Sequence, residues 1–224
     1  MVRVQPRQLT LDLPHAENLS REDFLEGEAN ASALALVESW PDWPNRIMML
    51  VGPEGCGKSH LAAIWAEQSG ARAVSAQSLT AAAVPGALAT GALVLEDLVP
   101  GSFDERALFH LINLTREEEA FVLITGRTAP TAFPSELRDL RSRLRAVPVV
   151  TVAPPDDALF RALIVKFCSD RQMQIDESLV SYLVSRIDRS YAAARRTVEE
   201  LDREALRLGR PVTRALAADL LRDL

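Results

Sequence analysis

Five short apolar runs mark the first two thirds of the chain: Arg46–Val51, Ala71–Ser75, Ala92–Leu95, Ala120–Thr125 and Val147–Val152. Polar or helically periodic stretches of crossover length separate them, a rhythm that predicts a parallel sheet covered on both faces. A helix is expected over Asn30–Ser39, and Trp40-Pro-Asp-Trp-Pro-Asn45 is turn punctuation isolating the first strand. Ala153-Pro-Pro-Asp-Asp157 closes the sheet region, because two prolines stop a strand and an aspartate can cap the next helix. Beyond it the pattern turns wholly helical. Leu159, Phe160, Leu163, Ile164 and Phe167 form one apolar face, and Leu179, Val180, Leu183, Val184 and Ile187 a second. Tyr191, Ala194, Val198, Leu201, Ala205 and Leu208 step by three and four along a third, and Thr213 caps a last helix expected to end at Leu224. The expected organisation is a tail over 1–20, an α/β domain with a parallel five-stranded sheet over 21–153, and a small all-helical domain over 154–224.

With 224 residues, 48% of them hydrophobic, the chain can bury a substantial core. Its net charge of −6 argues against a dominant nucleic-acid footprint, so DNA contact is expected to be indirect or weak. No apolar run is long enough for a signal peptide or a membrane span. Cys56 and Cys168 stand apart from any metal-spaced cluster, so a cytoplasmic setting without membrane contact is expected. His15, His60 and His110 are scattered and suggest neither a zinc site nor a triad.

Candidate chemistry begins directly after the first run. Gly52-Pro-Glu-Gly-Cys-Gly-Lys-Ser59 has the spacing of a phosphate loop. Gly52, Gly55 and Gly57 let the backbone curl so that its N–H groups, that of Cys56 included, point at an anion. Lys58 reaches the outer phosphates, Ser59 offers a hydroxyl to Mg2+, and the helix from His60 onward aims its positive end at the same charge. Leu93-Val-Leu-Glu-Asp97 ends an apolar run in two acids, either an ordinary surface pair or the Walker B pattern. In the second reading Glu96 orders Mg2+ and Asp97 takes the water-activating place. An aspartate there retracts its oxygens by one carbon–carbon bond, so slow intrinsic hydrolysis is expected.

These residues resemble the AAA+ ATPases of the DnaA type, specifically the Hda-type regulators that inactivate DnaA, over nearly the whole chain. Phe24–Asn30 is similar to the segment that lies against adenine, which implies that Asn30 belongs to the nucleotide site. Gly57-Lys-Ser-His-Leu61 resembles the family's loop ending, and Leu123–Pro130 its sensor 1 strand and turn. Leu140-Arg-Ser-Arg-Leu144 resembles the box carrying an arginine finger, which makes Arg143 the finger, with Arg141 close enough to be confused with it. The helical tail resembles the family's lid. Arg127 stands at the sensor 1 position, so Thr125 is the alternative for orienting water. Ala192 stands where a sensor 2 arginine belongs, and Arg195 or Arg196 would substitute, unless they are surface partners of Glu199 and Glu200.

Gln8-Leu-Thr-Leu-Asp-Leu13 resembles the peptide by which replication proteins dock on the DNA polymerase sliding clamp; Gln8, Leu9, Leu11 and Leu13 are its expected docking residues, with Gln8 in a polar pocket and Leu11 and Leu13 in an apolar groove. An alternating edge strand or a tail is the other reading, and Pro14 discourages absorption into a sheet. The chain stops at Leu224 without DnaA's helix-turn-helix domain, an absence expected of a regulator. The resemblance therefore implies an adaptor that binds ADP or ATP with Mg2+, contacts DnaA and the clamp, and stimulates DnaA's ATPase through Arg143. Weak hydrolysis of its own nucleotide is expected, and self-association stays open. The rivals are a helicase-loader or clamp-loader-like ATPase, and an initiator-recruiting scaffold with structural nucleotide.

Overall fold

The computed structural model describes residues 19–222. Gln8–Leu13 therefore lies outside the described residues. A helix α1 (Ala31–Glu38) precedes β1 (Ile47–Val51), which is followed by α2 (Lys58–Ser69) and β2 (Arg72–Ser75). The short α3 (Val84–Ala87) leads to β3 (Ala92–Leu98), and α4 (Glu105–Glu117) to β4 (Phe121–Gly126). Then come α5 (Arg138–Arg145) and β5 (Val149–Thr151). The strands form one parallel sheet in the order β2-β3-β4-β1-β5. β1 lies between β4 and β5, so the loop that leaves it opens near the sheet's middle, at the strands' carboxyl ends where ligands of such sheets bind.

Alternate residues of the inner strands feed two separate cores, as a period of two requires. Met49, Leu93, Leu95, Val122 and Ile124 join Leu108, Leu111, Leu140 and Leu144 of α4 and α5. Met48, Leu50, Val94 and Leu123 face the other way, onto Leu34 and Val37 of α1 and Leu61 and Trp65 of α2. Burial on both faces explains why these strands read as continuous apolar runs.

The remaining elements are α6 (Asp157–Asp170), α7 (Glu177–Val184), α8 (Tyr191–Leu208) and α9 (Arg214–Leu220). They share a third core around Phe160, Leu163, Leu183, Val198 and Leu201. Their starts are capped by side chains accepting from the first turn: Asp156 from the Leu159 amide (2.7 Å), Asp176 from Leu179 (2.8 Å), Ser190 from Ala193 (3.1 Å) and Thr213 from Leu216 (3.3 Å). Among the described residues no helix is long and apolar enough to cross a membrane.

Two elements depart from the pattern of the sequence. β3 does not end at Leu95 but continues through Glu96 and Asp97 to Leu98, because it pairs on both sides: Ser75 with Glu96, and Gly126 with Leu98. The ladder shifts register between Leu95 and Leu98, and Asp97 sits at φ +52°, a left-handed conformation that aspartate tolerates better than most residues. α9 ends at Leu220, short of Leu224, with the Leu221 amide closing on the Ala217 carbonyl.

Candidate nucleotide site

The loop's path is set where β1 and β5 run out together. The Gly52 amide donates to the Gly126 carbonyl (3.2 Å), and the Val152 amide to the Val51 carbonyl (2.8 Å). A Cβ on Gly52 would stand 2.2 Å from the Val152 carbonyl oxygen and 2.7 Å from Cys56 Sγ, so only glycine fits. Gly55 and Gly57 turn the chain at φ +71° and +99°.

Lys58 opens α2 and is 7% exposed. Its Nζ donates to the carbonyls of Gly52 (2.9 Å) and Pro53 (2.7 Å) and lies 3.6 Å from Cys56 Sγ. Among the described residues no carboxylate is within ion-pair distance of it. A buried ammonium with neutral acceptors is an uncompensated positive charge. Gly57, the N-cap of α2, has no side chain to satisfy the first-turn N–H groups, so these and the helix dipole add to the same field. The chemistry fits a polyphosphate.

The loop forms one wall of a cavity of about 620 Å³, whose opposite wall comes from α6, α8 and residues 19–23. Gly55, Gly57, Lys58, Ser59, His60, Asp97 and Arg195 line it, together with Arg127 and Ala192. Loop and helical unit are joined directly, since the Tyr191 amide donates to the Gly55 carbonyl at 2.7 Å. His60 Nε2 lies 2.8 Å from the Ser20 carbonyl, and its ring meets Phe24 edge-on at 5.1 Å.

Other expected site residues are placed elsewhere. Gly52 and Cys56 shape the loop from behind and are not part of the lining; Cys56 is 1% exposed. Asn30 is buried and also absent from the lining: its side-chain oxygen accepts from the Gly27 amide (2.9 Å), and its Nδ2 donates to the Leu25 carbonyl (2.9 Å) and Tyr191 Oη (3.0 Å). Here Asn30 organises the 24–30 segment and ties it to α8. Tyr191's phenol is pushed up to about 12 by burial, against the opposing effect of the Asn30 hydrogen bond. Arg196 is exposed and outside the lining, whereas Arg195 is inside it with its Nε donating to Glu199 (3.0 Å). Of the two sensor 2 candidates, only Arg195 faces the cavity.

The acids diverge in the same way. Asp97 lines the cavity, and its amide donates to Thr125 Oγ1 at 3.1 Å. Glu96 is half-buried and outside the lining, with its carboxyl raised above the usual range by burial and, secondarily, by the Asp97 charge. Arg127 is occupied by Glu54 at 2.8 Å. Among the described residues no group of three His, Cys, Asp or Glu side chains could hold a metal by itself, so Mg2+ at Ser59 and Glu96 would depend on phosphate oxygens for most of its shell.

Arg143 stands apart from the cavity. It is half-buried on α5, its guanidinium 5.1 Å from the ring centre of Phe109 on α4, while Arg141 is exposed.

As cavity-lining positions, a stripe of α6 escaped the sequence reading, which took Leu163 and Phe167 only as part of an apolar face. Leu163, Lys166, Phe167 and Asp170 follow the helical three-and-four step and line the cavity, and Arg171 continues them. Lys166 donates to Asp23 (2.7 Å) and Asp170 (2.8 Å), clasping residues 19–23 to α6. Burial alone would lower this ammonium's pKa, but the hydrogen bonds to Asp170 and Asp23 outweigh it and leave it raised. Only the period of the stripe, shared with the apolar face beside it, could have revealed these residues.

The phosphate loop on a parallel sheet, followed by a helical unit, defines an AAA+ P-loop module. No protein-family model matches the chain. In sequence it is 24% identical over 247 residues to the chromosomal replication initiator protein DnaA of two strains of Lactobacillus delbrueckii subsp. bulgaricus, covering 99% of this chain and 54% of DnaA. The chain thus spans about half the length of the curated relatives it matches. In fold it is similar to domain III of Thermotoga maritima DnaA (TM-score 0.72, 17% identity, 94% of this chain and 98% of that one). It is likewise similar to DnaA bound to AMPPCP and single-stranded DNA (0.63, 21%, 83% and 63%). The Thermotoga maritima RuvB Holliday junction branch migration motor shares the fold too (0.74, 16%, 92% and 72%). The chain therefore has the AAA+ P-loop fold that these DnaA and RuvB structures share.

Proposed function

We propose that this protein binds adenine nucleotide in the cavity beside Lys58 and acts as an Hda-type adaptor. It docks on the DNA-loaded sliding clamp through Gln8–Leu13 and promotes hydrolysis of ATP held by DnaA, restraining re-initiation. One observation carries the reading in trans: Arg143 is held over Phe109, outside the cavity of its own chain. A guanidinium stacked on a ring keeps its N–H edge available for an anion, and a neighbouring molecule's γ-phosphate suits it.

Lys58 and the first-turn amides of α2 hold the phosphates, and Arg195 approaches from α8. Ser59, which lines the cavity, would hold Mg2+, which when bound supplies charge neutralisation to the phosphates. Asp97, an acid in the cavity lining, is the proposed partner of an attacking water. It reaches the cavity by virtue of the irregular ladder at the end of β3. The AMPPCP-bound DnaA structures support the adenine assignment by their likeness of fold.

In a reconstituted reaction with DNA-loaded clamp and ATP-bound DnaA, Arg143→Ala should lower stimulated hydrolysis on the order of a thousandfold while nucleotide binding is kept. Unchanged hydrolysis removes the reading. The similarity to the RuvB motor favours a second reading, an ATPase that turns over its own nucleotide. Intrinsic turnover of about one per second, raised by single-stranded DNA, would establish that alternative.

A further inference from the structure

Two guanidinium groups from different helices meet on one carboxylate oxygen at the cavity wall. Arg171 Nη2, at the C-cap of α6, donates to Glu199 Oε1 at 2.8 Å, and Arg195 Nε of α8 donates to the same atom at 3.0 Å. Both arginines line the cavity. Arg171 is the more enclosed, its side chain 11% exposed against 25% for Arg195 and 35% for Glu199. The two guanidiniums share one carboxylate oxygen, so each pairing limits the other's claim on it.

We propose that Arg171 is a positioning residue for nucleotide binding. By holding Glu199 from α6 it takes up part of the carboxylate's acceptor capacity, which keeps Arg195 directed at a bound polyphosphate. This inference rests on the nucleotide reading above. Without Arg171, Glu199 turns wholly to Arg195 and competes with the phosphates for it.

The order of affinities among variants is the test, read by calorimetric titration of the full chain with ADP and ATP. Arg171→Gln should weaken binding about fivefold, the scale of a partly exposed charge pair. Arg171→Gln/Glu199→Gln should return to within about twofold of the unsubstituted protein, because the competing carboxylate is gone. Glu199→Gln alone should bind as tightly or more so. A mere brace between α6 and α8 gives the opposite order, with the double variant no tighter than Arg171→Gln, and that result overturns the proposal, as does weakened binding by Glu199→Gln. Lys58→Ala separates the two layers. If it binds nucleotide like the unsubstituted protein, the cavity reading fails and this inference with it. If it loses binding while Arg171→Gln keeps full affinity, the inference alone falls.

Discussion

Replacing Gly52 by alanine tests how closely the loop is fitted to the sheet. The added Cβ meets the Val152 carbonyl oxygen at 2.2 Å, where real Cβ contacts essentially never come under 3.0 Å, so about 0.8 Å must be found. Neither neighbour yields freely. Val152 is fully buried and its amide is bonded to Val51, while Cys56 Sγ at 2.7 Å blocks movement the other way. Backbone displacement of that kind costs about 2–4 kcal/mol. In a chain of this size each kcal/mol lowers Tm by about 2–4 °C, so a loss of about 5–15 °C is expected. The assay is thermal unfolding followed by circular dichroism, with Gly86→Ala as control, since an added Cβ there meets nothing within 4 Å. A Gly52→Ala protein melting within about 2 °C of the unsubstituted one would refute the fit described for β1, β5 and the loop.

Three further substitutions probe the cavity and the residues around it. Glu96 holds its proton more tightly when folded than the ordinary 4.5, so its ionisation costs stability as pH climbs through 4.5. Glu96→Gln should therefore raise Tm at pH 7 and lose that advantage below pH 4.5; an equal gain at all pH values contradicts it. Asp23 is held below its ordinary 3.8, chiefly by the Lys166 hydrogen bond, so its contribution is present above pH 3.8 and lost as pH falls through the lowered value. Asp23→Asn should cost less than about 1 kcal/mol in denaturant titrations at pH 7, a difference that closes in strong acid. Tyr191→Phe deprives the buried Asn30 amide of an acceptor, and about 1–2 kcal/mol should be lost in the same titrations. Unchanged stability would mean that the phenol is not part of the tie between α8 and the 24–30 segment.

The loop was legible because its chemistry is local. Glycines at 52, 55 and 57 and the lysine and hydroxyl after them need only one another and a strand before them. The sheet was legible because strands buried on both faces are apolar throughout. What stayed hidden depends on elements far apart in sequence. Glu96 and Asp97 read as two acids ending an apolar run, and only pairing with both β2 and β4 shows the strand carrying on through them to Leu98. Asn30 looked like a nucleotide contact, yet its amide is used by Gly27, Leu25 and Tyr191, the last of them 161 positions away. The stripe from Leu163 to Arg171 reads as an ordinary amphipathic helix until α6 is set against the loop. Arg195 and Arg196 were indistinguishable on paper, and the rotation of α8 separates them.

The 2.7 Å bond between Tyr191 and Gly55 has a mechanical meaning. It fastens the first residue of the long helix to the bend of the proposed phosphate loop, so a tilt of one pulls on the other. If the proposed nucleotide binds there, a protein that grips the far helices and shifts them would change how firmly it is retained, and by reciprocity the nucleotide would change that protein's grip by the same factor.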